Sequence, residues 1–323
     1  MVEVLHRRDS VGLVRWLHME PTPLEQAVFR TVAWFSLFSY PLTIFEVWKW
    51  LLLPDRPYDL AEVYRILDES LWLDTKLQRE NGFIALLNTQ SISNQSKMRQ
   101  DRFLDAVRKF ASLRRAATWF QLLPGVRAVA AVNTMAWWHT TRESDIDLYI
   151  ITKPGMIWSS RLLLVTPFKL LGRRPHIDSG AENPFCFSFF NTADNLGLES
   201  LNIKRDYYLS FWSKSLVPVL DKDDCFDTHI LENRWVNTTL PHAKPRAIHH
   251  HHKPRAFGSA PIQLKFIEPL ARVVQRKKFP SNIREIANKD TRVVINDQML
   301  KLYPIDRREA FRDEFEKILS RHL

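Results

Sequence analysis

Glycine is scarce in this chain, with eight among 323 residues, and cysteine scarcer, with Cys186 and Cys225 alone. The glycines form neither a G-x-G-x-x-G fingerprint nor a P-loop, which excludes a glycine-rich phosphate cradle. Two cysteines make neither a disulfide framework nor a cysteine zinc site, and this fits a reducing cytoplasm. A long apolar run is missing as well. A spanning helix needs about 20 apolar residues, and the longest apolar stretches carry charges, as Arg161 and Lys169 do within Met156 to Leu171. Met1 to Glu20 has no apolar core of signal-peptide length and reads as a basic arm over residues 1–20. The expectation is a cytoplasmic protein with no membrane partner.

What the chain has in surplus is tryptophan, eleven residues, and positive charge, 46 Lys and Arg against 36 Asp and Glu, a formal +10. That excess favours polyanions, so RNA, DNA and nucleotides are candidate partners. A solvated basic surface accounts for it equally well. Hydrophobic content of 45% and charged content of 25% are ordinary for a globular protein, and the length allows one large or two to three small domains.

Three helix starts follow one another. Thr22-Pro23-Leu24-Glu25, Thr43-Ile44-Phe45-Glu46 and Asp59-Leu60-Ala61-Glu62 each have the capping-box pattern, and each opens an apolar-periodic run. The period then changes. Leu73 to Glu80 alternates, Asn81-Gly82 is a strong two-residue turn, and Phe83 to Leu87 is a second strand. Three helices and a hairpin over residues 21–92 have the order of a winged helix. The third helix, Asp59 to Trp72, carries Asp59, Glu62, Asp68 and Glu69 against Arg65 alone, a poor match to DNA phosphates. A small helical packing module reads the same residues equally well.

Gln95 to Leu123 reads as one long basic helix, with Arg99, Arg102, Arg108, Lys109, Arg114 and Arg115, ended by Pro124-Gly125. If the net charge serves nucleic acid, these arginines are expected to form one continuous basic surface. Val126 to Val132, Leu148 to Ile151 and Phe185 to Phe190 read as strands, with helices over Ile157 to Leu171 and Lys204 to Ser215, an α/β alternation over residues 93–222. Residues 223–260, with His249 to His252 among prolines, read as a linker. Residues 261–323 read as a C-terminal helical region, its last helix opened by Asp306-Arg307-Arg308-Glu309. The expected class is therefore multidomain α+β.

The chemistry concentrates at Ser144-Asp145-Ile146-Asp147-Leu148. Residues two apart on a strand face the same way, so Asp145 and Asp147 present both carboxylates on one side while Ile146 and Leu148 enter the core. Two such carboxylates repel unless a cation sits between them. Mg²⁺ suits them, because it takes hard oxygen ligands and keeps positions for substrate phosphates. A solvated acidic strand end is the plainer alternative. His139 and Arg142 precede the pair and are in reach of a phosphate or of solvent. Trp137-Trp138 has the character of a base-stacking platform or of core. Arg161 and Lys169 read as snorkelling surface cations.

The context of the pair matters. A buried strand ends at Asn133-Thr134, a loop with a short helix covers Met135 to Ser144, and the carboxylates follow on the next strand. This resembles the polymerase-beta-like nucleotidyltransferase superfamily, and the layout of the whole chain resembles bacterial members with an N-terminal winged-helix region. The resemblance implies a mixed β-sheet with flanking helices and Mg²⁺ on Asp145 and Asp147. It also implies a nucleoside triphosphate held near Asn133, Thr134 and Ser144, with transfer of its nucleotide to a hydroxyl. Asn133 and Thr134 stand where the family has Gly and Ser. The family's third carboxylate has no counterpart in Phe185 to Phe190, and Asp178 is the nearest alternative. Three functions compete: an active nucleotidyltransferase, a degenerate one that binds nucleotide or nucleic acid, and a winged-helix regulator with the middle region as sensor.

Overall fold

The computed structural model describes residues 20–87, 90–173, 183–249, 251, 253–254 and 265–323. The chain is mixed α and β and divides into two units. The first comprises the chain up to Arg99 with Asn237–Ala243 and Asp313–Leu323, the second Gln100–Val236 with Lys244–Arg312. The basic arm, apart from its last residue, lies outside the described residues.

In the first unit, α1 (Pro23–Ser36), β1 (Leu42–Thr43), α2 (Ile44–Lys49) and α3 (Leu60–Glu69) begin where the capping boxes place them. Glu25 accepts from the Thr22 N–H at 2.7 Å, Glu46 from Thr43 at 2.9 Å and Glu62 from Asp59 at 2.7 Å. Each reciprocal bond satisfies amides that the first helical turn leaves open. The hairpin is shorter than its alternation predicts. Leu71–Asp74 is a helical turn, α4, because Ser70 accepts from the Leu73 N–H at 3.0 Å and caps it. The strands are β2 (Leu77–Glu80) and β3 (Phe83–Leu86), joined at Asn81-Gly82 with φ of 53° and 79°. Positive φ at both central residues is the two-residue turn that matches strand twist. β1, absent from the sequence reading, pairs antiparallel with β3 to complete a three-stranded sheet.

Helix α5 (Ile92–Phe120) runs from the first unit into the second, so the unit boundary falls inside a helix. The second unit continues through β4 (Val126–Ala131), α6 (Asn133–Ala136), β5 (Ile146–Thr152), α7 (Ile157–Leu170), β6 (Phe185–Thr192), α8 (Tyr207–Ser215), β7 (Val217–Asp221) and α9 (Cys225–Glu232). It closes with α10 (Glu268–Lys278), α11 (Ser281–Ile286), β8 (Val293–Ile295), β9 (Met299–Leu302) and the start of α12 (Arg308–His322). The sheet order is β7-β4-β5-β6-β9-β8, with β5 and β6 parallel and the other neighbours antiparallel. β4 and β5 are antiparallel neighbours, which sets the Asn133-Thr134 turn beside the start of β5. Among the described residues no helix is long and apolar enough to cross a membrane.

Two expectations are corrected here. Residues 261–323 are not wholly helical: Val293-Val294-Ile295 and Met299 to Leu302 form a hairpin that joins the main sheet through β6. Its turn is closed by Asn296, whose side chain accepts from the Gln298 N–H at 2.8 Å and the Met299 N–H at 2.6 Å. Residues 223–260 are not linker throughout, because α9 lies there, capped by Asp221 accepting from Cys225 and Phe226 at 2.9 and 3.0 Å.

Buried in α9, His229 contacts the Ser213 hydroxyl at 3.0 Å. Burial pushes its pKa from 6.5 down to about 4, opposed by the hydrogen bond at Ser213 and aided by the Lys214 charge. Between those two pH values the unfolded chain takes up a proton that the folded one refuses. This contribution to stability is therefore complete above about pH 6.5 and lost as pH falls through about 4, a change of about 3 kcal/mol. Urea unfolding at pH 4.5 and 7 should show it, and the His229→Gln variant should lose that part of the difference. An unchanged pH dependence in the variant would refute the assignment.

Candidate active site

Strand alternation decides which way the carboxylates face. Ile146, Leu148 and Ile150 of β5 pack into the core on one side of the sheet, Tyr149 and Ile151 on the other. By the same period Asp147 shares the side of Tyr149 and Ile151. On the neighbouring parallel strand, Cys186 stands opposite Asp147. A carboxylate oxygen of Asp145, one of Asp147 and the Cys186 Sγ all lie within 4.8 Å of one another. The third strand, in which the sequence offers no acid, brings a thiol to the pair instead. Cys186 Sγ also contacts the Ser188 hydroxyl at 2.8 Å.

Burial pushes the Asp147 carboxyl up to about 6. Hydrogen bonds from Asn133 and Cys186 oppose the rise and the Asp145 charge adds to it. Burial, followed by the Asp147 charge, pushes the Cys186 thiol up as well. The two carboxylates fit a hard cation such as Mg²⁺. The thiol does not, since Mg²⁺ prefers oxygen ligands and sulfur suits softer ions.

Asn133, which opens the turn after β4, adopts φ of 54°. Asparagine tolerates this left-handed conformation because its short polar side chain bonds locally. Here the side-chain oxygen accepts from the Trp212 indole N–H at 3.1 Å and the Tyr208 hydroxyl at 3.3 Å. That leaves its amide N–H₂ as the group that bonds Asp147. Thr134 follows, exposed, and lines the same cavity as Asp147. The backbone links the two strands at this point, the Val132 N–H donating to the Asp147 carbonyl at 3.1 Å.

That cavity has a volume of about 320 Å³. Asn133, Thr134 and Asp147 form one wall, Phe189, Tyr208, Trp212 and Tyr303 supply aromatic faces, and Lys301 and Arg308 stand behind. The rear is a buried ionic network. Arg308 donates to Asp206 at 2.6 Å, to the Leu201 carbonyl at 2.8 Å and to Thr291 at 2.7 Å, and pairs with Asp306 at 2.9 Å. Asp306 is 3.4 Å from Lys301, whose pKa burial pushes down to about 8, the Arg308 charge adding to the effect.

The other predicted residues have different roles. The Ser144 hydroxyl accepts from the Thr141 N–H at 2.9 Å and shapes the turn before Asp145. His139 is buried and bonded to Arg102. Arg161 is buried rather than snorkelling, donating to Gln275 at 2.7 Å over the Phe279 ring, while Lys169 is exposed. Trp138 stacks on Phe110 at 4.3 Å and Trp137 meets Phe211 edge-on, so both are packing residues. Arg99 is paired with Glu46 at 2.6 Å with a side chain 18% exposed, which removes it from the expected basic surface; Arg108, Arg114 and Arg115 are exposed. Asp178 lies outside the described residues, as do His250 and His252 of the histidine run.

Sequence reasoning missed Lys109, counted only as one charge of a basic helix. It is wholly buried, donating to the Ser144 carbonyl at 2.9 Å, the Arg142 carbonyl at 3.3 Å and Asn183 at 3.2 Å. It thus pins the segments entering β5 and β6, the two strands that carry the donor groups. Cys186, Tyr303 and the Arg308 network were missed too. The one available signal was the position of Cys186 near the start of the strand expected to bring a third acid. Compared with known proteins, the chain matches no family model, no curated protein and no solved structure.

Proposed function

We propose that this protein binds a nucleoside triphosphate with a divalent cation at Asp145 and Asp147 and transfers the nucleotide to an acceptor hydroxyl. The carrying observation is the convergence of three donor groups beside the Asn133-Thr134 turn: Asp145 just before β5, Asp147 on β5 and Cys186 on the adjacent strand β6. A cavity lined by aromatic residues opens against the same corner. The two carboxylates would hold the cation, which when bound supplies neutralising charge to the attacking oxygen and to departing pyrophosphate. Thr134 offers an exposed hydroxyl to a phosphate oxygen, and Asn133 holds Asp147 in orientation. Tyr208, Trp212 and Tyr303 exclude water from one side of the reacting groups. In the transfer, a bond forms between the acceptor oxygen and the α-phosphorus as the bond to pyrophosphate breaks.

A second reading, nucleotide binding without turnover, is favoured by the thiol at the third position and by the Asn133 side chain where close backbone approach calls for glycine. For the first unit we propose a winged-helix-like module serving protein contact, because α3 carries Glu62, Asp68 and Glu69 against Arg65.

Incubation with each labelled nucleoside triphosphate and a divalent cation decides between the readings. Pyrophosphate release with label on an acceptor or on the protein supports transfer. Binding without release supports the second reading, and no binding of any nucleotide overturns both.

A further inference from the structure

We propose that Asp145, Asp147 and Cys186 form a site for a thiophilic divalent cation of the Zn²⁺ or Co²⁺ class, with the Cys186 sulfur as a direct ligand, in preference to Mg²⁺. The inference rests on the reading above for the nucleotide that would complete the site, but its metal preference comes from the side chains alone.

Geometry comes first. One ligand atom from each of the three residues lies within 4.8 Å of the other two. A tetrahedral cation holding oxygen and sulfur at about 2.0–2.3 Å spaces its ligands about 3.5 Å apart, so side-chain rotation closes the set. Asp145 enters from the turn before β5, Asp147 from the strand, and Cys186 from the parallel strand directly opposite. Three protein ligands leave a fourth position open, the arrangement of sites that bind water or substrate oxygen. A site built for Mg²⁺ would carry oxygen at each point. Sulfur tilts the balance towards softer ions.

The second observation is independent of the cluster. The Tyr303 hydroxyl is buried and meets no partner at hydrogen-bond geometry among the described residues, with the Asn133 side chain close enough to interact with it. Its ring lines the cavity that Asp147 lines, and its hydroxyl lies within the electrostatic reach of Asp147 and Cys186. The Asn133 side chain already serves Tyr208, Trp212 and Asp147. A buried hydroxyl without a partner is costly and rare in a native fold. An oxygen carried by the cation, water or phosphate, gives it one. On coordination the Cys186 S–H bond breaks, its electron pair goes to the metal, and the proton leaves to solvent.

The test is a Co²⁺ titration of the full-length protein freed of metal by chelation. The expected result is a near-ultraviolet thiolate-to-cobalt charge-transfer band, absent in Cys186→Ser and weakened in Asp147→Asn. Zn²⁺ should displace Co²⁺ readily and Mg²⁺ only at far higher concentration. Cys186→Asp should lose the band and gain Mg²⁺ affinity by about 10- to 100-fold. In the wild-type protein, Zn²⁺ should protect Cys186 from iodoacetamide while Mg²⁺ should not, a readout that needs no variant to fold. Cobalt bound without the charge-transfer band, or equal alkylation with and without Zn²⁺, overturns the inference and leaves the carboxylate pair standing. No cobalt uptake with or without ATP overturns both the inference and the reading it rests on.

Discussion

Asp147→Asn is expected to lower metal-dependent nucleotide affinity by about 100-fold or more while leaving the fold intact. Asp145→Asn should do the same. The loss follows from charge: an amide neither neutralises a divalent cation nor replaces an anionic ligand. The fold survives because burial already opposes the charged form of Asp147, pushing its carboxyl up to about 6. An asparagine side chain still accepts a hydrogen bond from Asn133 and no longer repels Asp145. The urea midpoint of the variant at pH 7 should therefore equal or exceed that of the parent. Calorimetry with ATP, GTP, CTP and UTP, with and without divalent cation, reads the affinity. Nucleotide binding that ignores both the cation and Asp147→Asn would disprove the metal role of the pair.

Arg308→Met should cost about 3 to 5 kcal/mol of stability, the cost of stranding a buried charge. The Arg308 and Asp206 side chains are 6% and 2% exposed and meet at 2.6 Å. Asp206 cannot regain water when its partner is removed. It also caps α8, accepting from the Leu209 N–H at 2.9 Å, so the damage should reach the cavity wall formed by Tyr208 and Trp212. Asp206→Asn in the Arg308→Met background should recover about 1 to 2 kcal/mol, because an amide keeps the cap and removes the unpaired charge. Equal midpoints for the single and double variants would mean that the ion pair is not what holds this wall together.

Much of the architecture was legible in local chemistry. The capping boxes at Thr22, Thr43 and Asp59 are interactions three residues apart, so sequence spacing alone specifies them. Asn81-Gly82 needs only its own two backbone conformations to turn the chain. The alternation of Ile146, Asp147 and Leu148 determined which side chains enter the core, because the pleat repeats every two residues.

What the sequence alone could not decide depended on strands far apart in the chain. Val293 to Leu302 is hydrophobic and short, compatible with helix or strand, and pairing with β6 settles it as a hairpin. Cys186 counted as an isolated thiol until parallel pairing of β5 and β6 set it opposite Asp147. Lys109 counted as one positive charge among many until the segments entering β5 and β6 closed over it. The carboxylate pair was determined by two positions separated by one residue and a period of two. The identity of the group facing it was decided only when the register between strands brought it there.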